Sequence, residues 1–155
     1  MTQYSLCADL GGTQMRVALV GGEGHMSHRH VSPTNAHQGR DDVLNRLVVA
    51  FQQVVSLAES VQLVGVGVAV ASPTDPDTGL MYNAPNLPGW DGFSLKSVLQ
   101  ERLALNVSIA NDATLAGLAE HAYGAGRGSR HMLYMTVSTG IGGGIIIDGR
   151  LFTGN

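Results

Sequence analysis

Cysteine and charged residues are both scarce in this 155-residue chain. A single cysteine, Cys7, excludes a disulfide within the chain and makes a reducing cytoplasm the expected compartment. Charged residues make up only 14% of the sequence against 44% hydrophobic residues, a balance typical of a globular domain rather than a disordered one. The formal net charge of -3 gives no electrostatic reason to expect nucleic acid or an anionic membrane as a partner.

Long apolar runs are absent as well. The first residues, Met-Thr-Gln-Tyr, lack the basic and apolar regions of a signal peptide. No stretch approaches the roughly 20 apolar residues that a membrane-spanning helix needs, so a soluble protein is expected. Glycine, in contrast, is abundant: the 21 glycines gather in turns between periodic segments, which favours tight loops around a ligand.

The segment from Ser5 to Val20 is the first of these glycine turns. Two apolar runs flank Gly11-Gly12, and this pattern predicts a β-hairpin. Glycine lets backbone N–H groups approach an anion, Thr13 adds a hydroxyl donor, and Asp9 could hold a water molecule on Mg²⁺. The sequence therefore predicts a phosphate-binding turn, with an ordinary hairpin whose glycines only supply positive φ as the alternative.

Strands and helices alternate through the next hundred residues. A third strand is predicted from His25 to Val31; His28 and His30 would share one of its faces, either as a metal pair or, preferably, as part of a solvated face. Spacings of three and four predict an amphipathic helix from Asp41 to about Ser60. The apolar run Leu63–Val70 predicts a strand covered on both faces, so the fold class is α/β.

Two loops follow the buried strand. Residues 71–79 are rich in turn formers and stand at the carboxyl end of that strand, where ligands collect in α/β sheets. A short strand is predicted from Leu80 to Asn83, and residues 84–90 are too proline-rich for regular structure. Asn86 lies between two prolines, where it could either bind hydroxyl groups or form an Asx-turn.

The last third of the chain again alternates helices and strands and contains a second glycine-rich turn. A helix is predicted from about Ser94 to Leu103 and a strand from Val107 to Ala110. The helix 113–123 then carries an apolar side formed by Leu115, Leu118, Ala119 and Ala122. Strands over 132–138 and 144–147 enclose the second glycine turn, residues 139–143, and Asp148-Gly149 forms a hairpin turn before residues 150–152.

Two glycine-rich turns that contain threonine are more specific than one, because together they could hold the phosphates of a nucleotide from two sides. Neither turn is a P-loop, since no Gly-Lys-Ser/Thr follows it. Neither is a Rossmann fingerprint, since the glycines connect strands and do not open a helix.

The order of these motifs resembles the N-terminal part of a sugar kinase of the ROK family, in the actin-like ATPase superfamily. The matching segments are Asp9–Thr13, residues 65–68, residues 84–90, Asn111–Ala113, residues 124–126 and residues 138–144. The resemblance implies a ribonuclease-H-like lobe of the actin and hexokinase type, with a mixed sheet and flanking helices. It divides the chain into an N-terminal lobe (1–110), a linking helix and loop (111–130), and the first hairpin of a second lobe (131–155).

The resemblance also implies roles for individual residues. Asp112 would be the catalytic base for a sugar hydroxyl, or, as the alternative, a plain helix N-cap. Asn111, Asn86 and Ser72 would bind the sugar; Ser72 stands where the family usually has glycine. The residues expected to surround ATP are Asp9, Gly11, Gly12, Thr13, Thr139, Gly140, Gly142 and Gly143, with Asp9 contacting Mg²⁺ through water.

The expected activity is ATP-dependent phosphorylation of a hexose, with glucose as the leading guess, or of an N-acetylhexosamine. The partners would be a small-molecule sugar and other copies of the chain in a homo-oligomer, with no nucleic acid and no membrane. The alternatives are a sugar-sensing regulator of the same family and a sugar- or nucleotide-binding module without turnover. The 155 residues alone are expected to be inactive and to associate through the C-terminal hairpin.

Overall fold

The computed structural model describes residues 2–58, 61–137 and 140–154. These residues form two compact units, Met1–Ala110 and Asn111–Asn155. The elements in chain order are β1 (Thr2–Leu10), β2 (Gln14–Gly21), β3 (Met26–Pro33), α1 (Arg40–Ser56), β4 (Val61–Val70), α2 (Leu95–Leu103), β5 (Val107–Asn111), α3 (Asp112–Tyr123), β6 (Met132–Val137), β7 (Ile141–Ile147) and β8 (Arg150–Phe152), with a short 3-10 helix at Ala36–Gln38.

The first unit is built on a five-stranded mixed sheet in the order β3-β2-β1-β4-β5. The predicted hairpin is confirmed: β1 and β2 are antiparallel, and Leu10 pairs with Met15 across the glycine turn. β1 and β4 are parallel, with Leu10 opposite Val70. The carboxyl ends of β1 and β4 therefore lie at the same edge of the sheet, and the glycine turn stands beside the loop that follows β4.

β4 was expected to be covered on both faces, and this is wrong. Val66, Val68 and Val70 are buried in the core, whereas Val64 is 50% exposed and the residues between the buried valines are only partly buried. The two glycines of this strand, Gly65 and Gly67, explain why an almost wholly apolar segment can have one open face: they present no side chain that must be buried.

Helix α1 buries four members of the predicted stripe, Val43, Leu47, Phe51 and Val54, whereas the fifth, Ala58, lies beyond the end of the helix. It ends at Ser56, four residues before the predicted end. Leu57 is 65% exposed, so extending the helix over this residue would bury little apolar surface.

The segment 80–83 is not a strand. It forms only isolated bridges, Thr74 to Met81 and Leu80 to Ser94. The irregular segment after it is held by packing instead: Leu87 and Trp90 are fully buried, and the Trp90 ring meets Phe93 edge-on at 5.6 Å. Helix α2 then begins as predicted, because the Ser94 hydroxyl accepts a hydrogen bond from the N–H of Ser97 as an N-cap.

The edge strand β3 does not keep the regular two-residue period. His28 has a left-handed backbone conformation (φ 49), and the register with β2 shifts at this point. The expectation that His28 and His30 share a face is therefore wrong, because a β-bulge lies between them. The described residues contain no group of three His, Cys, Asp or Glu side chains that could hold a metal ion.

In the second unit, helix α3 lies on the three-stranded sheet β6-β7-β8. The helix packs through Ala113 and Gly117 rather than through the predicted apolar side, of which Ala119 and Ala122 are exposed. A Cβ atom at Gly117 would lie 3.1 Å from the Gly144 Cα atom, so the glycines allow the helix and strand to approach closely.

β7 begins at Ile141, which places Gly142 and Gly143 in the strand and not in the turn where they were expected. The hairpin between β7 and β8 is confirmed, since Asp148 and Gly149 both have positive φ, as a tight turn requires. Within the described residues, no helix combines the length and the hydropathy needed to cross a bilayer.

Candidate functional site

The first part of the candidate site is the turn between β1 and β2. The turn is closed by a hydrogen bond from the Gly11 N–H to the Gln14 carbonyl at 3.1 Å, so this N–H is already occupied. The N–H groups of Gly12 and Thr13 make no hydrogen bond within the described part of the chain. Thr13 is exposed. Gly12 and Thr13 therefore supply the donors that an anion at this turn would meet.

Asp9 stands next to this turn, at the end of β1. Its carboxylate accepts a hydrogen bond from the Arg16 guanidinium at 2.6 Å, and both side chains are close to half exposed. The two residues face each other in the hairpin, since Asp9 pairs with Arg16 in the β1–β2 register. If phosphate and Mg²⁺ bind at this turn, the half-exposed Asp9 carboxylate could accept a hydrogen bond from a magnesium-bound water, and the Arg16 guanidinium would add a second positive charge beside the Mg²⁺.

Asn86 and Gly12 are brought into contact by the fold. A Cβ atom at Gly12 would lie 2.5 Å from the Asn86 Cβ atom and 2.8 Å from the Asn86 carbonyl oxygen. Asn86 itself is exposed, so its amide is accessible next to the glycine turn. Residue 12 must therefore be glycine for this loop to reach the turn, whatever else the turn binds.

Ser72 lies at the same edge of the sheet, just after β4, where the Ala71 N–H donates to the Leu10 carbonyl at 3.4 Å. Ser72 is only 1% exposed, and its hydroxyl donates to the Tyr82 carbonyl at 2.8 Å. This bond ties the loop after β4 to the segment that leads to Asn86. A sugar-binding role for Ser72 stays a prediction.

The loop after β4 is also ordered by Asp75. Its carboxylate accepts hydrogen bonds from the backbone N–H groups of Thr78 at 2.8 Å and Asp77 at 2.9 Å. The hydrogen bond from the Thr78 backbone is the main cause that lowers the pKa of Asp75 below its usual value. Lys96 closes the loop from α2, donating to the Asp77 carbonyl at 2.7 Å.

The second part of the candidate site lies at the start of α3. Asn111 is the N-cap of the helix: its side-chain oxygen accepts from the N–H groups of Ala113 at 3.1 Å and Thr114 at 3.2 Å. The alternative that made Asp112 the N-cap is therefore wrong, because Asn111 takes that position. Asp112 is exposed, and one of its oxygens accepts from the Ala113 N–H at 2.8 Å.

The glycines of β7 lie beneath this helix end. A Cβ atom at Gly142 would lie 2.7 Å from the Ala113 Cβ atom, and one at Gly143 would lie 2.5 Å from the Tyr134 carbonyl oxygen. For Gly140, in contrast, such an atom would meet no other part of the described chain within 4 Å, and this residue directly precedes β7. Thr139 lies outside the described residues. Phosphate binding by these four residues stays a prediction.

Three residues that stabilise the site were not predicted from the sequence. Thr34 contacts the glycine turn, Arg16 pairs with Asp9, and Thr114 donates to the Gly143 carbonyl at 3.2 Å. Arg16 could have been predicted from the hairpin: if Leu10 and Met15 are the first pair beside the turn, Asp9 and Arg16 are the next pair. Thr34 and Thr114 depend on contacts between distant segments, for which the sequence has no periodic signal.

Known proteins resemble this chain over nearly all of its length. The family model described as the ROK family matches residues 5–155. The glucokinase of Thermotoga maritima is 36% identical over 148 residues, which cover 94% of this chain and 45% of that protein. The N-acetylmannosamine kinase of Citrobacter koseri is 32% identical over 150 residues, which cover 97% of this chain and 50% of that protein.

Solved structures give the same result for the fold. A ROK family glucokinase from Streptomyces griseus, in complex with glucose and AMPPNP, superposes with a TM-score of 0.86 at 28% identity, covering 98% of this chain and 47% of that chain. The expected fold class, a mixed α/β lobe of the actin and hexokinase type, is thereby confirmed. The chain spans about half the length of the relatives that it matches.

Proposed function

The chain belongs to the ROK family, and from this premise we propose that its activity is ATP-dependent phosphorylation of a sugar hydroxyl, carried out by a protein of the relatives' full length. Relatives named as glucokinase and N-acetylmannosamine kinase support a hexose or an N-acetylhexosamine as the substrate. Glucose is the first choice, because a glucokinase is the relative with 36% identity and a neighbouring structure contains glucose. Because ATP and sugars are available in the cytoplasm, we expect a protein with this activity to act in that compartment.

The nucleotide would bind at the two glycine turns. In the first unit, the Gly12 and Thr13 N–H groups and the Thr13 hydroxyl would donate to phosphate oxygens, and Asp9 would hold a water on Mg²⁺. Bound magnesium would supply neutralisation of the charge on the transferred phosphoryl group. In the second unit, Thr139, Gly140, Gly142 and Gly143 would be near the phosphates. The neighbouring structure that contains AMPPNP supports a nucleotide ligand.

Asp112 would act as the general base. The observation that carries this role is that Asn111 caps helix α3, so the helix does not need Asp112 as its cap. The Ala113 N–H fixes one oxygen of the Asp112 carboxylate at 2.8 Å, while the side chain stays exposed to a ligand. A carboxylate held within hydrogen-bond reach of a sugar hydroxyl accepts its proton as the oxygen attacks phosphorus, which contributes about 10²–10⁴ to the rate.

The replacement Asp112→Asn in the full-length protein tests this role. It keeps the shape of the side chain, so sugar affinity should change little, whereas kcat should fall at least about a hundredfold. Asp41→Asn is the matched control, because Asp41 is also a carboxylate in the first turn of a helix and its side chain is 80% exposed. If Asp112→Asn keeps most of its turnover, the assigned base is wrong.

The substrate is identified by measuring ATP consumption and sugar phosphate formation with a panel that includes glucose and N-acetylmannosamine. Sugar phosphate formed with one of these sugars would establish the kinase. Sugar or nucleotide binding without product would favour a binding module. A change of operator DNA binding on addition of sugar would favour a regulator of the same family.

The 155 residues alone should not phosphorylate sugar. The relatives are about twice as long, and phosphoryl transfer needs a closed site in which phosphate and hydroxyl meet without water. Sugar phosphate formation by the purified 155-residue chain, free of contaminating kinase, would contradict this.

Self-association is proposed for the 155-residue chain through the open face of the second unit. The register pairs Leu133 with Ile145 and Ile145 with Phe152, and this face of the sheet lies opposite to α3. The large exposed side chains on it are Leu133, Met135, Val137, Ile141, Ile145, Ile147 and Phe152, from 43% to 76% exposed.

Seven large apolar side chains exposed together on one face form the kind of contiguous apolar surface that marks a protein–protein contact. A second copy that presents the same face would cover it. Leu133→Lys, at a side chain that is 73% exposed, should shift the mass measured by light scattering towards the monomer. A strictly monomeric wild-type chain at high concentration would contradict the homo-oligomer.

A further inference from the structure

Thr34 is a buried polar residue directly behind the glycine turn. Among the described residues, only Thr34 and Ser72 are polar and buried, and Thr34 is 0% exposed. Its hydroxyl donates to the Gly11 carbonyl at 2.6 Å, and its N–H donates to the Thr13 carbonyl at 2.8 Å. One residue therefore binds two carbonyl groups of the turn that would hold phosphate.

These two bonds fix the direction in which the turn presents its donors. In a trans peptide, the C=O group and the N–H group of the next residue point in opposite directions. Because the Gly11 carbonyl points towards Thr34, the Gly12 N–H in the same peptide points away from Thr34. This is one of the two N–H groups in the turn without a partner in the described part of the chain.

Thr34 is itself held by helix α1. The Arg46 guanidinium donates to the Thr34 carbonyl and, at 2.6 Å, to the Pro33 carbonyl. The guanidinium is oriented by Asp42 one turn earlier in the helix, through an ion pair at 2.7 Å. Helix α1 thus fixes Thr34, and Thr34 fixes the turn.

We propose that Thr34 is a positioning residue for the nucleotide phosphates: its hydroxyl and N–H hold the glycine turn so that the Gly12 N–H faces the ligand. The proposal rests on the kinase function proposed above, since it assigns the turn to phosphate. Thr34 does not touch the nucleotide. It acts through the orientation of the Gly11–Gly12 peptide.

The test compares three variants of the full-length protein. Thr34→Val is isosteric and removes only the hydroxyl, Thr34→Ser keeps the hydroxyl and removes a methyl group, and Val54→Ala is a control that loosens helix α1 at a 0% exposed position away from the turn. For each variant, kcat and KM for ATP are measured, together with AMPPNP affinity by calorimetry and amide hydrogen exchange of the peptide that contains residues 11–14.

Thr34→Val should lower kcat/KM for ATP by about tenfold, because it leaves the Gly11 carbonyl without its partner. Within residues 11–14, it should also accelerate exchange of the Gly11 N–H, whose hydrogen bond to the Gln14 carbonyl closes the turn. Thr34→Ser should restore both readouts to within about threefold of wild type. Val54→Ala should lower the melting temperature and leave the KM for ATP unchanged.

Two results would overturn the proposal: a Thr34→Val variant with wild-type ATP kinetics and wild-type exchange, or a Thr34→Ser variant as impaired as Thr34→Val. Failure of the kinase function is seen separately, as wild-type protein that forms no sugar phosphate. In that case, hydrogen exchange at residues 11–14 still decides whether the Thr34 hydroxyl holds the turn.

Discussion

Replacement of Gly12 by alanine should weaken the binding of both the nucleotide and the sugar. The added Cβ atom would lie 2.5 Å from the Asn86 Cβ atom and 2.8 Å from the Asn86 carbonyl oxygen. Separations under 3 Å between such atoms are not sustained, so either the turn or the Asn86 loop must move. Overpacking of this kind costs about 1–3 kcal/mol, which corresponds to roughly 5- to 150-fold in affinity if the cost is taken from ligand binding.

The contact with Asn86 makes the prediction specific. If Gly12 matters only because the backbone approaches phosphate, Gly12→Ala weakens nucleotide binding alone. If the Asn86 loop must also move, sugar affinity falls as well, because Asn86 is an expected sugar ligand. We expect both affinities to fall by at least about fivefold, measured by calorimetry of the full-length protein with AMPPNP and with glucose.

Gly22→Ala is the matched control for this experiment. Gly22 is in the turn after β2, and a Cβ atom there would have no atom of the described residues within 4 Å. The control should therefore bind both ligands like wild type. Unchanged sugar affinity in Gly12→Ala, alongside a loss of nucleotide affinity, would refute the coupling through Asn86, and unchanged affinity for both ligands would refute the role of the turn.

Three further predictions concern stability and reactivity. Arg16→Gln breaks the ion pair with Asp9, whose two side chains are 45% (Arg16) and 42% (Asp9) exposed. The free energy of unfolding, measured by urea titration, should therefore change by less than about 1 kcal/mol. A larger loss would mean that the pair has a structural role. Gly117→Val should destabilise the second unit by about 1–3 kcal/mol, because its Cβ atom would lie 3.1 Å from the Gly144 Cα atom. The control Ala119→Val, on the exposed side of the same helix, should not be destabilised. Equal thermal melting curves for the two variants would contradict the close packing of helix and strand. Burial raises the pKa of the Cys7 thiol above its ordinary value of 9.0, although a backbone hydrogen bond from Gly67 opposes this. The neutral thiol is thus favoured in the folded state, and its contribution to stability is intact below pH 9.0 and lost as the pH rises through the folded-state pKa. As the pH is raised above 9.0, the Cys7→Ala variant should therefore lose less free energy of unfolding than the wild type. Parallel plots of unfolding free energy against pH for the two proteins would contradict the pKa shift.

The sequence determined most of the local structure. The glycine hairpin, the buried face of α1, the Ser94 cap of α2 and the tight turn at Asp148-Gly149 all follow from short-range preferences, because the residues that decide them are neighbours in the chain. The order of its motifs was also enough to identify the family, which the match over residues 5–155 confirmed.

Tertiary structure decided which side chains support the site. Thr34 contacts a turn more than twenty residues earlier, and Asn86 reaches Gly12 because Trp90 and Leu87 anchor its segment in the core. Helix α3 also could not be placed from the sequence alone. Its most apolar side was expected to pack on the sheet, but the helix packs through the side with Gly117, which lets its backbone come close to Gly144. Periodicity measures hydrophobicity along one element, whereas these contacts depend on how near two distant backbones can come, and that distance is set only when the whole unit is folded.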